Sequence, residues 1–188
     1  MRAIAALAAL TAAPVAVALI AVPAQAATAS AACPAPTRAE LEGTDADEPA
    51  KGAKALRGVR VRHVPEGFTY GTLTASKRGG VTEYGYVWSD NRDTTDLAHR
   101  SLWVRVVCWP QASRLAQLRK LPVELGRFTG DPRTVKLGGR QVLRQEGDGA
   151  LGHGRYVGWV ERKGVVVTVM AGRPLVPELA DIVRGIKL

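Results

Sequence analysis

Leu102-Trp103-Val104-Arg105-Val106-Val107-Cys108-Trp109 is the stretch on which the fold turns. It is almost continuously apolar and rich in β-branched and aromatic residues, which suits a strand buried within a sheet. Side chains alternate across a strand. Leu102, Val104, Val106 and Cys108 therefore share one face, and Trp103, Arg105, Val107 and Trp109 share the other. With the first set turned to the core, the two tryptophans lie with Arg105 on the opposite face. That aromatic-plus-arginine face is the best candidate surface for binding.

Hairpin signals surround this strand. Upstream, Val59 and Val61 alternate with Arg60 and Arg62 before the Pro65-Glu66-Gly67 turn. Strands are predicted over 69–76 and 81–89, separated by Lys77-Arg78-Gly79-Gly80, with Tyr84, Tyr86 and Trp88 on one face. Downstream, 133–137 and 140–146 flank Gly138-Gly139, and 156–160 and 165–171 flank Arg162-Lys163-Gly164. A helix is predicted from Pro110, with Leu115, Leu118 and Leu121 as its stripe, ending at Pro122. Another opens at Pro177, with Leu179, Ile182, Val183 and Ile186 at i, i+3, i+4 and i+7. Strands dominate and hairpins imply antiparallel pairing. The predicted class is α+β, an antiparallel sheet with one or two helices packed on one face.

The chain has 188 residues, a one-domain length. Residues 1–26 read as a secretory signal: Arg2, then a run of Ala, Leu, Val and Ile, then Ala24-Gln25-Ala26 at a cleavage site. Cleavage is expected after Ala26 or Ala31, with lipidation at Cys33 a less favoured alternative. Residues 27–57 read as a flexible leader and 58–188 as the domain. In an exported chain two cysteines favour a bridge, so Cys33 is expected to pair with Cys108 and staple the leader to the core.

Lys and Arg number 26 against 17 Asp and Glu, a net charge of +9. The excess is local: residues 100–144 hold ten basic residues against Glu124 and Asp131 alone. Such a balance implies an anionic partner. Export points away from nucleic acid and towards an anionic cell-envelope component, a partner protein or peripheral contact with a membrane surface. The predicted binding residues are Trp103, Arg105, Trp109, Arg114, Arg119, Lys120, Arg140 and Arg144.

Catalytic signals are thin. No Gly-x-Ser-x-Gly turn occurs, and His63, His99 and His153 are isolated in sequence. Asp90, Asp93 and Asp96 do not follow a calcium-loop spacing. Residues 147–154 are glycine-rich but lack the Gly-Lys-Ser/Thr ending of a phosphate loop. No catalytic residue, metal site or cofactor is expected.

Three short elements recur in an order seen elsewhere. They are His63-Val64-Pro65-Glu66-Gly67-Phe68, then Val135-Lys136-Leu137-Gly138-Gly139-Arg140, then Trp159-Val160-Glu161-Arg162-Lys163-Gly164 followed by Glu178-Leu179-Ala180-Asp181-Ile182. Together they resemble an extracytoplasmic domain of unknown function found in anti-sigma-like proteins. In outline that domain is similar to MucB/RseB and LolA-type domains. The resemblance covers residues 58–188 and implies a half-barrel-like sheet with no catalytic residues. The expected function is a secreted, non-enzymatic binding or regulatory domain at the cell envelope. A LolA-like carrier of a lipid or apolar ligand is the alternative, and a small secreted hydrolase the second alternative.

Overall fold

The central strand obeys its alternation but not the expectation of a free face. In the computed structural model, which describes residues 32–43, 45–147 and 153–188, Ser101–Cys108 is buried along nearly its whole length. Leu102, Val104 and Val106 enter one hydrophobic cluster. Trp103 and Val107 enter a second on the opposite side. Both faces of this strand are core.

The strands in chain order are β1 (Ala46–Asp47), β2 (Arg60–Val61), β3 (Tyr70–Arg78), β4 (Val81–Ser89), β5 (Ser101–Cys108), β6 (Arg133–Leu137), β7 (Arg140–Glu146), β8 (Gly154–Arg162), β9 (Val165–Gly172) and β10 (Ile186–Lys187). Eight of them form one sheet in the order β1-β3-β4-β5-β9-β8-β7-β6, and β10 pairs with β2. Two meanders, β3-β4-β5 and β6-β7-β8-β9, join where β5 pairs antiparallel with β9. β9 is buried at every position, which explains its valine-rich sequence. The predicted turns at Gly79-Gly80, Gly138-Gly139 and Gly164 close their hairpins with glycine at positive φ.

Helices are few. α1 (Arg38–Glu42) has a capping box between Thr37 and Glu40. α2 (Leu179–Gly185) buries Leu179, Ile182 and Val183 in the first cluster. A 3-10 turn, Arg173–Glu178, leads into α2. The helix expected from Pro110 is a 3-10 segment, Leu115–Lys120. Its leucines at i and i+3 suit three residues per turn. It lies on the other side of the sheet from α2, with Leu118 in the second cluster. Secondary elements thus cover both faces rather than one.

The described part of the expected leader 27–57, residues 32–43 and 45–57, belongs to the domain. β1 extends the sheet beside β3, and Ala55 and Leu56 are buried in the first cluster. The predicted signal segment, both cleavage sites and residues 148–152 of the glycine-rich loop lie outside the described residues. No helix among the described residues is long and apolar enough to cross a membrane.

Two covers therefore sandwich the sheet. The leader and α2 lie over Tyr84, Tyr86, Trp88, Val104, Val157, Trp159 and Val167. Residues 110–130 lie over Trp103, Val107, Tyr156, Val166 and Met170, inserting Ala112, Leu118, Leu121, Val123 and Phe128.

Candidate functional site

The cover built from residues 110–130 is fastened by Arg105, which is 1% exposed. Its Nε donates to Thr168 Oγ1 at 3.1 Å. Nη1 donates to Glu83 Oε2 at 2.7 Å and to the Leu125 carbonyl at 2.9 Å. Nη2 donates to the Gly126 carbonyl at 3.2 Å and to Tyr156 Oη at 3.1 Å. All five guanidinium N–H donors are used. The guanidinium also stacks 4.6 Å from the Trp103 ring centroid. Gly126 has φ +63°, and a Cβ there would overlap the Met170 methyl. Its carbonyl also accepts from Tyr156 Oη at 2.6 Å. Trp103 and Arg105 are consequently internal ties, not a binding face. The shared parity was real, but an irregular stretch folds over it.

The remaining predicted residues do not form one surface. Arg114, Arg119 and Lys120 are exposed on the 110–130 cover, where Arg119 Nη2 donates to the Pro132 carbonyl at 2.7 Å. Trp109 is half-buried against the second cluster. Arg140 and Arg144 share the parity of Val142, which belongs to the first cluster, so they project from the opposite side of the sheet. Arg140 closes the end of α2, donating to the Val183 and Ile186 carbonyls at 2.9 Å each. It also lies over Trp159. Cys33 is bridged to Cys108, as expected, and the bond ties the leader to the end of β5.

The leader is held by the tips of three aromatics whose rings fill the first cluster. Tyr84 Oη donates to Glu40 Oε1 at 2.9 Å and accepts from the Arg57 amide at 3.0 Å. Tyr86 Oη donates to Asp47 Oδ2 at 2.7 Å and accepts from the Lys51 amide at 3.0 Å. Trp88 Nε1 donates to the Lys51 carbonyl at 2.6 Å. Burial, with the Asp47 carboxylate, pushes the Tyr86 phenol up to about 12, and burial also raises Tyr84. Burial acts to raise Asp47 and Glu40, but their hydrogen bonds and the nearby Lys51 and Arg57 charges outweigh it. Both carboxyls sit below their ordinary values.

One serine–histidine–aspartate grouping escaped the sequence reading. His99 Nε2 is 3.3 Å from Ser89 Oγ, and its Nδ1 is 2.9 Å from Asp90 Oδ1. The three residues are 3–6% exposed. His99 Nδ1 nevertheless has no aligned hydrogen-bond acceptor. The ring N–H therefore does not point along the contact, unlike the oriented pair of a catalytic triad. Ser89 Oγ donates to the neighbouring Asp90 carbonyl at 3.2 Å. Asp90 accepts the Arg92 and Arg100 amides at 3.1 Å each. These bonds fold the loop between β4 and β5. The sequence signal was present in Ser89-Asp90, but only the hairpin register returns His99 to them.

Two open clefts lie side by side where β7 ends and β8 begins. One, about 580 Å³, is lined by Leu97, Glu146, His153, Arg155, Arg173 and Val176 among others. The other, about 520 Å³, is lined by Thr129, Asp131, Arg133, Arg144, Gln145 and Glu146 among others. Both volumes fall within the range of ligand pockets. Of the predicted binding residues only Arg144 lines them. Among the described residues, no group of three or more His, Cys, Asp or Glu is placed to hold a metal ion.

No family model, curated protein or solved structure matches the chain.

Proposed function

We propose that this chain is an exported, non-enzymatic binding module for an anionic component of the cell envelope. The observation that carries the reading is where the basic excess of residues 100–144 lies. Arg105 is internal, but Arg114, Arg119, Lys120, Arg127, Arg133 and Lys136 are all exposed. Exposed like charges destabilise the compact state slightly and raise the local concentration of counter-charged partners. The Cys33–Cys108 bridge supports an oxidising compartment, and the signal-like residues 1–26 support export and a secreted location. A regulatory role at the cell envelope is what the resemblance to anti-sigma-like extracytoplasmic domains would add to this reading. A half-barrel carrier finds less support. The face that would have to stay hollow for an apolar ligand holds Tyr84, Tyr86, Trp88, Trp159 and the α2 leucine and isoleucine, each at most 2% exposed. Hydrolysis also finds less support, because the Ser89 hydroxyl is enclosed and engaged.

The test is co-sedimentation of the bridged protein with envelope polymer and with anionic lipid vesicles across a salt series. Binding should fall steeply as ionic strength rises, because salt screens exposed charges beyond about 8 Å at 0.15 M. Salt-insensitive binding, or none at low salt, would overturn the reading.

A further inference from the structure

The geometry points to a phosphate-binding site on the sheet face that carries the first cluster, built from Arg133, Arg144 and Arg155, in which Glu146 stands in for the ligand anion. This deepens the proposed function and rests on it. Arg133 and Arg144 are direct cross-strand partners on β6 and β7. Like charges placed opposite each other on adjacent strands are unfavourable. One strand further on, Arg155 is the register partner of Glu146. The parity of Val135, Val142 and Val157, all packed in or against the first cluster, places Arg133, Arg144, Glu146 and Arg155 on one face.

Among the described residues, a single carboxylate is ion-paired to this group. Glu146 Oε2 accepts from Arg155 Nη2 at 2.7 Å and Nε at 3.2 Å, while Oε1 lies 3.4 Å from Arg144 Nη2. The arginine side chains are 27% and 32% exposed, so their forks are partly fixed. The carboxylate side chain is 63% exposed and free to swing out. Among the described residues, Arg133 makes no ion pair and no side-chain hydrogen bond. Within the same set Arg173, on the rim of the first cleft, makes none either, and Asp131 is the other acid on the rims. Four arginines thus face two carboxylates among the described residues. Guanidinium forks match phosphate oxygens bidentately. A phosphate has more acceptor oxygens than a carboxylate, so it can engage Arg133 as well as the pair that Glu146 already bridges.

The clefts lie on either side of Glu146, and both are concave. Among the described residues, Leu97 is the one exposed large hydrophobic residue on their rims. A membrane presents a flat plane, whereas these arginines lie along two adjoining concavities. The arrangement suits a chain of repeated phosphodiesters threading both clefts better than a membrane plane.

The experiment is equilibrium binding of the bridged protein to soluble poly(glycerol phosphate), with inorganic phosphate as competitor. Phosphatidylglycerol vesicles form a separate arm. Arg144→Gln/Arg155→Gln is compared with Arg60→Gln/Arg62→Gln, which removes the same charge from exposed positions outside residues 100–144. The first pair should weaken binding about tenfold or more, the equivalent of one lost charge-assisted hydrogen bond. The second should change it less than about twofold, within the small effect of rim charges. Arg144→Lys/Arg155→Lys should also lose affinity, because the charge remains and the forks do not. Glu146→Gln should bind more tightly. Thermal melts verify that each variant folds. Equal losses from both glutamine pairs, or weaker binding by Glu146→Gln, would overturn the site and leave the basic-surface reading standing. Binding to vesicles but not to polymer would overturn the phosphodiester chain as occupant. No binding to any anionic probe would overturn both readings.

Discussion

The two covers of the sheet are both irregular chain, and they are held by opposite means. Residues 110–130 are held by one buried cation that satisfies all its donors internally. The leader is held by a covalent bridge and by phenol–carboxylate bonds whose carboxylates reach towards solvent. Neither cover contains enough regular structure to close its own backbone hydrogen bonds, so each depends on groups projecting from the sheet. The difference lies in what can undo them. An always-charged guanidinium is indifferent to pH and redox state, whereas the leader's fastenings respond to both.

The largest effect should come from Arg105. Arg105→Leu leaves Glu83 without its guanidinium and the Leu125 and Gly126 carbonyls without their donor. Removing one partner of a buried ion pair costs about 3–5 kcal/mol. Arg105→Lys should recover little of this, since an ammonium has three donors and no planar fork. Urea unfolding would measure the loss. Near-native stability of Arg105→Leu would mean that the apolar contacts of Leu118, Leu121 and Phe128 hold the cover alone.

Second in size is the bridge. Cys33→Ser/Cys108→Ser opens a crosslink spanning 75 residues of sequence and should cost about 2–4 kcal/mol. The loss should appear first as faster amide exchange in the leader, while residues 110–130 keep their protection. Uniformly faster exchange in both covers would show that they are one cooperative unit.

These two fastenings were unequally legible in the sequence. The bridge followed from having two cysteines in an exported chain. The alternation of 102–109, the glycine turns and the valine-rich β9 were legible because their periodicity is local. The role of Arg105 was not, because its partners Glu83, Leu125, Gly126, Tyr156 and Thr168 lie 20 to 63 residues away. Leu118 and Leu121 read as a helical stripe, but Ala112, Val123 and Phe128 follow neither strand nor helix period and nothing local says which sheet face they cover, so a buried face read as an exposed one. The leader misled for a similar reason. Its Ala, Pro and Gly content describes a segment with little core of its own, and Tyr84, Tyr86 and Trp88 supply what it lacks. Of the cleft arginines, Arg144 was legible by charge alone. Arg133 and Arg155 needed the register of β6, β7 and β8.

A smaller effect concerns the far end of the arginine-bearing face, where Ser101 and its cross-strand partner Ser89 follow Trp103. Ser89→Ala should cost about 1 kcal/mol, the net worth of one hydrogen bond. A fluorophosphonate probe should leave Ser89 unlabelled in the folded protein, because the hydroxyl is enclosed. Stoichiometric labelling at Ser89, abolished by His99→Ala, would instead make this loop an active site.

The mildest perturbation is pH, and it should separate the covers without any mutation. Glu40 and Asp47 titrate below their ordinary values in the folded chain. Their contribution is therefore present at neutral pH and is lost as pH falls below about 4, towards their folded values. Tyr86 runs the other way. Its folded value near 12 exceeds the ordinary 10, so its contribution is complete below pH 10 and is lost between 10 and 12. Both limits act on the same contacts, since Tyr86 donates to Asp47 and accepts from the Lys51 amide. Exchange at the Lys51 and Arg57 amides should therefore be slowest, after correction for intrinsic rate, between about pH 4 and 10. Amides of residues 110–130 should not follow this window, because that cover is fastened through the Leu125 and Gly126 carbonyls rather than through phenol–carboxylate bonds, and burial pushes the Tyr156 phenol up. A matching pH window in both covers would show that the tyrosine–carboxylate bonds support the whole sandwich rather than the leader alone.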